Sequence, residues 1–364
     1  MKIGIVSPYD ISKTGGVTNH VLNLANELSC KGNEVSIIAP SSDESFKLKH
    51  INFLNVGNPT LVKFGSTKAS IAVKFTSILN TRKFLLQNSF DLIHIHEPLV
   101  PFVSLCSLIF SKAPVILTFH ATFNSNWKFR FWGFLFKDWI LKSALKICVS
   151  KTAGHTLKNY GYDIDYKLIP NGVDLQRFKI KKGSTNEEIR ILFVGRNEDR
   201  KGIKILLDAF KIVSRRHGHV VLNLVGEGVS NLADKHEDLP NCKFYDHMEG
   251  DELVDMYHSS QIFCSPAIEN ESFGIVLLEA MASGLAVVAS DIEGYKGLVN
   301  NYENGVLFKN GDFEELARIL CEIIENRDLI NKLSLNGIHF SKKYSWNEVS
   351  QDIILNYEKK VKIG

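Results

Sequence analysis

The feature that most limits what this chain can fold into is that its strand-and-helix alternation starts over half-way along. Lys2-Ile-Gly-Ile-Val-Ser-Pro8 is a short apolar run ending in turn residues. A helical pattern follows over residues 17–30, with Val21, Leu22, Leu24, Ala25 and Leu28 on its apolar face. Residues 34–39, 90–96 and 115–119 read as further strands. At Ile189 the order begins again: a strand over 189–194, a helix over 202–215, then strands over 220–225, 261–264 and 286–289. Strands that are apolar almost throughout and alternate with helices belong to parallel sheets covered on both faces. Two doubly wound α/β domains in tandem are therefore expected, joined near Pro170-Asn-Gly-Val-Asp174, with residues 179–188 as a solvated loop. The length of 364 residues suits about two domains. Ligands of such sheets sit beyond the carboxyl ends of the strands, so two sheets facing each other imply a cleft.

Composition narrows the partners. The longest apolar stretch, 99–110, is broken by Pro101 and is shorter than the ~20 residues that span a bilayer. The first apolar run, 3–6, is too short for the apolar core of a signal peptide. Six cysteines lie far apart without zinc or redox spacing, which reads as free thiols in a reducing cytoplasm. Residues 1–170 carry a net charge of +9 and residues 171–364 a net charge of −6. A basic half points to an anionic partner: nucleic acid, a phosphorylated ligand or a membrane surface.

Several residues can carry chemistry. Gly15-Gly16 lies between the first strand and first helix, where a backbone amide can approach a phosphate; a tight turn explains the pair equally well. Neither a Gly-x-Gly-x-x-Gly nor a P-loop sequence is present. Gly195-Arg-Asn-Glu-Asp-Arg-Lys-Gly202 makes the matching turn in the second half, and Arg196 and Lys201, with Arg200 adjacent, suit a diphosphate. In Glu269-Asn-Glu-Ser-Phe-Gly-Ile-Val-Leu-Leu-Glu279, Glu271 and Glu279 are eight apart, just over two helical turns. Ser272 is placed to cap a helix whose first amides belong to Phe273, Gly274 and Ile275. His120 ends the strand Val115-Ile-Leu-Thr-Phe-His120. His94 and His96 share one strand face, yet no third ligand of clear spacing accompanies them, and no metal is expected. Asp163-Ile-Asp165 reads as a chance spelling in a polar turn.

These motifs, in this order, resemble the GT-B glycosyltransferases of family 4. The likeness rests on Gly15-Gly16-Val17, Pro170-Asn-Gly-Val-Asp174, Gly195-Arg196 with Lys201-Gly202, and the Glu-x7-Glu pair Glu271 and Glu279. It covers nearly the whole chain. Gly15-Gly-Val-Thr-Asn-His-Val21, Asp91-Leu-Ile-His-Ile-His-Glu-Pro98, Thr118-Phe-His120 and Glu271-Ser-Phe-Gly-Ile-Val276 are most similar to the phosphatidylinositol mannosyltransferase subgroup. The resemblance implies two Rossmann-like domains facing across a cleft. Residues 1–172 would form an acceptor-binding domain, completed by a C-terminal helix within 346–364, and residues 173–345 a domain for the nucleotide sugar.

It also implies roles. Gly16, Arg196 and Lys201 would hold the donor diphosphate, Glu279 the ribose, and Met248 the base through its backbone. Glu271, Ser272, Phe273, Gly274 and Ile275 would hold the transferred sugar, with His120 beside its reacting carbon. Tyr9, Thr18, Asn58, Thr60 and Lys63 would take the acceptor; Thr18 stands where the subgroup has Gln and Lys63 where it has Arg. The reaction implied is retaining transfer of mannose from GDP-mannose to phosphatidylinositol, with no metal or other cofactor and no nucleic-acid partner. It would take place on the inner face of the cell membrane. Eight of the 17 residues over 123–139 are aromatic, with Lys128, Arg130 and Lys137 among them, and Lys68, Lys74, Arg82 and Lys83 lie over 63–83. Such segments fit an anionic membrane surface, or a buried aromatic helix. Two alternatives remain open here: transfer from a UDP-sugar to a soluble or diacylglycerol acceptor, and a non-enzymatic nucleic-acid binder.

Overall fold

The recurring apolar runs are strands of two parallel sheets. The computed structural model describes residues 1–64, 67–121, 127–179, 188–239 and 241–361, so the loop expected over 179–188 and the first residues of the aromatic segment lie largely outside the described residues. The chain divides into two compact units, Met1–Gly172 with Trp346–Gly364, and Val173–Ser345.

In the first unit the strands are β1 (Lys2–Val6), β2 (Glu34–Ala39), β3 (Asn52–Asn55), β4 (Thr60–Phe64), β5 (Thr67–Ile71), β6 (Leu92–His96), β7 (Val115–Phe119), β8 (Leu145–Cys148) and β9 (Lys167–Leu168). Seven of them form a parallel sheet in the order β3-β2-β1-β6-β7-β8-β9, while β4 and β5 make an antiparallel hairpin. The hairpin is not legible in the sequence, because its two five-residue strands mix Thr, Lys and Ser with apolar residues and show no sustained alternation. The helices are α1 (Gly16–Cys30), α2 (Phe75–Gln87), α3 (Val103–Phe110), α4 (Trp127–Lys142) and α5 (Lys151–Asn159).

The second unit repeats the plan with β10 (Arg190–Val194), β11 (Val221–Val225), β12 (Cys242–Tyr245), β13 (Ile262–Ser265), β14 (Ala286–Ser290) and β15 (Val306–Phe308). Their order, β12-β11-β10-β13-β14-β15, is that of a doubly wound nucleotide-binding sheet. Helices α6 (Ile203–Arg216), α7 (Gly250–His258), α8 (Ile275–Ala282), α9 (Glu293–Lys296), α10 (Phe313–Glu325) and α11 (Arg327–Ser341) accompany it. Phe193, Leu206, Phe210, Leu222, Leu224, Val288 and Leu320 fill its core.

The last helix, α12 (Trp346–Val361), belongs to the first unit. Its buried residues Trp346, Val349, Ile353 and Tyr357 recur at helical spacing and join Val21, Leu24, Ile37 and Ile116 in one core. At about 1.5–3 kcal/mol for each large apolar side chain buried, that stripe is a substantial share of the unit's stability. Lys31 Nζ to Asn347 Oδ1 (2.8 Å) and Lys167 Nζ to Asp352 Oδ1 (2.6 Å) pin its polar flanks.

Candidate active site

The strand ends of the second unit carry a connected run of opposite charges. After β10 the chain turns through 195–202 into α6. Gly202 adopts φ 68°, in the left-handed region, and any side chain there would collide with the Pro266 carbonyl. On this turn Arg196 Nη1 lies 3.2 Å from Glu198 Oε1, and Glu198 Oε2 accepts from Arg200 Nε at 2.7 Å. Arg200 Nη1 reaches Glu271 Oε1 at 2.7 Å, and Lys201 Nζ reaches the same oxygen at 2.6 Å. Three cations thus alternate with two carboxylates, leaving one net positive charge. The Arg200, Lys201 and Glu271 side chains are only 10–15% exposed. At such depth ion pairs are screened little, so the array is held firmly and its excess charge is available to an anion.

Glu271 reaches this array from the loop after β13. Ile268 N–H donates to the Arg200 carbonyl at 2.8 Å, and Asn270 takes φ 58°. The Glu271 carbonyl occupies the space that a side chain on Gly294 would need. The expected cap by Ser272 is not formed. α8 begins only at Ile275, behind Gly274 at φ 84°, with no side-chain cap. A Cβ on Gly274 would press on the Tyr295 ring, so packing on Tyr295 sets the turn and delays the helix. Glu271 is consequently off the helix and does not share a face with Glu279. The Phe273, Gly274 and Ile275 amides lie in the turn before the first helical bond, Leu277 N–H to the Gly274 carbonyl (3.0 Å).

Glu279 sits within α8 and accepts a hydrogen bond from Tyr257 OH at 2.9 Å. Desolvation pushes its carboxyl up to about 7, against the Tyr257 bond and the charge of Arg177, which both pull it down. Met248 follows β12 on the loop to α7 and is half-buried. Arg196, Lys201, Met248 and Glu271 are therefore all at carboxyl ends of parallel strands, where doubly wound sheets bind ligands.

The strand ends of the first unit are built differently. Gly16 opens α1 behind Gly15, whose φ of 177° is ordinary extended backbone. A Cβ on Gly16 would have open space around it, so neither packing nor a left-handed turn demands glycine there. His120, just past β7, is buried in a group with His20, His94 and His96. His96 Nδ1 and His120 Nε2 share a hydrogen bond of 2.9 Å. His94 is bonded on both nitrogens, to Tyr357 OH and Thr118 Oγ1, each at 2.6 Å. His20 Nδ1 faces Asn171 Oδ1 at 2.8 Å, which assigns the ring proton to Nδ1. Burial holds all four imidazoles neutral: His20 falls to about 4 and His94 to about 3, while His96 and His120 fall well below the usual histidine range. Glu97 (φ 49°) fixes the end of β7, its Oε1 accepting the His120 and Ala121 amides at 2.6 and 2.7 Å.

Tyr9 and Thr60 are brought together, since both pair with Ile71 of the hairpin. Asn58 and Thr60 are exposed, and Lys63 stands opposite Lys68 in the hairpin register. Thr18 is not brought to them as a surface group: it is buried, and its hydroxyl donates to the Asp10 carbonyl at 3.5 Å.

Beyond the strand ends, α4 turns Trp132, Gly133 and Ile140 inward and leaves Trp127 (73%), Phe131 (57%) and Phe134 (73%) exposed along one stripe. Phe75, Leu79 and Leu86 of α2 are exposed too. The aromatic segment is thus not a wholly buried helix.

Residues 14–177 match the Glycosyltransferase Family 4 family, and residues 175–340 match Glycosyl transferases group 1. Over 98% of the chain, the sequence is 30% identical to a phosphatidyl-myo-inositol mannosyltransferase of Mycolicibacterium smegmatis, covering 94% of that protein. The chain is a family 4 glycosyltransferase of the GT-B fold. A second relative, the phosphatidyl-myo-inositol mannosyltransferase of Mycobacterium leprae, is 29% identical over 98% of this chain and 96% of its own. Among solved structures, sucrose-phosphate synthase from Thermosynechococcus elongatus superposes with a TM-score of 0.81 at 19% identity, over the full length of both chains. Anabaena HepE in complex with UDP does so at 0.78 and 19%, over 99% of this chain and 100% of its own. At those identities the likeness is one of fold. Sequence reasoning about this glycosyltransferase missed Glu198, Tyr257, Glu97, His20 and Asn171. His20, Glu97, Asn171 and Glu198 lie inside the quoted segments without being singled out, and Tyr257 lies outside them; each earns its place through a side-chain contact that the segment alone does not reveal.

Proposed function

We propose that this glycosyltransferase moves mannose from GDP-mannose to the headgroup of phosphatidylinositol, with retention, at the inner face of the cell membrane. The observation that carries the reading is the alternating array Arg196–Glu198–Arg200–Glu271–Lys201 with its one excess positive charge. In this reading the bond from the anomeric carbon to the diphosphate oxygen breaks as the acceptor hydroxyl oxygen attaches to the same face, and the hydroxyl proton passes to the departing diphosphate oxygen. Charge builds on the departing diphosphate, and Arg196 and Lys201 meet it with no metal required. Lys201 exchanges part of its bond to Glu271 for the phosphate, which frees a Glu271 oxygen to accept from a sugar hydroxyl. The second unit is the donor domain: Glu279 takes the ribose, the Met248 backbone takes the base, and Ser272 with the Phe273–Ile275 amides takes the sugar. Gly16 offers an open backbone amide to phosphate, and His120 touches the sugar as a neutral imidazole. The first unit is the acceptor domain, with Tyr9, Asn58, Thr60 and Lys63 at the acceptor; Thr18 would support Asp10 from beneath.

The choice of inositol lipid and mannose draws support from the names of the two mannosyltransferase relatives, each matched over nearly its full length. The exposed aromatic stripe of α4, with Lys128, Arg130 and Lys137 on the same helix, suits an anionic bilayer surface. The test is transfer by the purified chain from labelled GDP-mannose, UDP-glucose or UDP-galactose to phosphatidylinositol, diacylglycerol or free inositol, with anionic vesicles present. Mannosyl-phosphatidylinositol is the expected product. Turnover confined to UDP-sugars, or to diacylglycerol, would contradict the reading.

A further inference from the structure

The histidine group behind β6 and β7 holds two nitrogens that no described residue satisfies. Nε2 of His20 and Nε2 of His96 are buried and, among the described residues, have no hydrogen-bond partner. With its Nδ1 proton directed at Asn171, His20 presents Nε2 as a bare lone pair. Buried lone pairs of this kind are rare and mark a missing donor or an electrophile. His120 stands in the same group: its ring centroid lies 4.7 Å from that of His20 and 5.2 Å from that of His96. One nitrogen from each of His20, His96 and His120 can be chosen so that all three lie within 4.8 Å of one another. The two further ligands that strand spacing could not supply for His96 thus come from α1 and from just past the end of β7.

We infer that His20, His96 and His120 form a binding site for a single borderline transition-metal ion of the zinc class. Neutral imidazoles are ready ligands for such ions, and three of them leave the fourth position open. The Asn171 carbonyl oxygen, held by the His20 Nδ1 proton, is the kind of outer contact that orients a ligating histidine. Zinc–nitrogen bonds of about 2.0–2.1 Å require the nitrogens to draw together, and the His96–His120 hydrogen bond opens to admit the ion. A metal at this site withdraws His120 from the transferred sugar. The ion is therefore an inhibitor that competes with the donor rather than a cofactor, a consequence that rests on the role proposed for His120.

Dialysis of the full chain against zinc chloride, with elemental analysis, reads the site directly and needs no substrate. One zinc per chain is expected, weakened by about 10- to 100-fold in Asn171→Ala and lost in His20→Asn. X-ray absorption of the zinc-loaded wild-type chain does not depend on any variant folding: it should show nitrogen neighbours at about 2.0–2.1 Å, whereas sulfur at about 2.3 Å would assign the ion to cysteines and overturn the site. No retained zinc would overturn it as well. Zinc should also raise the donor KM, and a chelator should reverse this; zinc bound at these histidines with an unchanged donor KM would refute the competition. Transfer that persists without any zinc binding leaves the proposed function standing, whereas zinc binding without any transfer leaves only the metal site.

Discussion

The two units prepare their strand ends in opposite ways. In the second, five charged side chains from two loops grip one another, and the bonds of Arg200 and Lys201 to Glu271 are short and sheltered. In the first, four histidines are packed together uncharged, and Trp127, Phe131 and Phe134 of α4 face outward. On the proposed function, a phosphate is a high charge that must be matched, and paired ions with a surplus suit it. A sugar hydroxyl carries no charge and the acyl region beneath a headgroup is apolar, so neutral imidazoles and exposed rings suit them. On the proposed function, the basic excess of residues 1–170 serves surface attraction, and the diphosphate cations come from the acidic half.

The strongest way to break this contrast is to remove the surplus cation. Lys201→Ala should lower kcat/KM by about 100- to 1,000-fold, the cost of losing one preorganised donor to developing charge. Its thermal stability should change little, because Arg200 still pairs with Glu271; steady-state kinetics beside a melting curve separates the two effects. Next, Phe131→Ser with Phe134→Ser should weaken binding to anionic vesicles by roughly 10- to 100-fold, each ring contributing some 1.5–3 kcal/mol when fully buried and less at an interface. Vesicle sedimentation measures it, and turnover of a soluble acceptor should be spared.

Acid should act on the two units with opposite sign. His20 and His94 bind protons less tightly folded, at about 4 and 3, than at their ordinary 6.5. The unfolded chain therefore takes up more protons, and the first unit loses stability as pH falls from 6.5 towards 4, by about 2 kcal/mol or more. Glu279 binds its proton more tightly folded, at about 7 against 4.5, so its contribution to the second unit falls as pH rises between those values. All four tryptophans lie in the first unit, at 127, 132, 139 and 346. Fluorescence-detected melting should accordingly drop between pH 6.5 and 5, while Glu279→Gln flattens the opposing trend in exchange protection of α8.

Two smaller changes sharpen the comparison. Gly16→Val meets open space and should leave stability within about 0.5 kcal/mol apart from helix propensity, yet reduce transfer by about tenfold if phosphate approaches that amide. Tyr257→Phe removes one hydrogen bond to Glu279 and should raise the donor KM by about three- to tenfold, in line with ~1 kcal/mol.

Much of the fold was legible because nearly continuous apolar strands leave few alternatives to a parallel sheet, and their restart at Ile189 doubled it. Arg196, Lys201, Glu271 and Glu279 were legible as a spaced set. The start of α8 was not: Ser272 is a good cap in isolation, but the ring of Tyr295 forces the turn to run to Gly274. Arg200 read as a neighbour of the important cations, yet it is the residue that links Glu198 to Glu271. His20 joins His96 and His120 only through the packing of α1 on the sheet. The outward stripe of α4 depends on which face Tyr160 and Tyr162 cover at Gly133, which composition does not encode.

Calorimetric titration of the full chain with GDP and with guanosine tests most directly whether the paired cations of the second unit hold a diphosphate. The account predicts that GDP binds at least about 100-fold more tightly than guanosine, and that Lys201→Ala removes most of that difference. Equal affinity for the two, unchanged by Lys201→Ala, would contradict it.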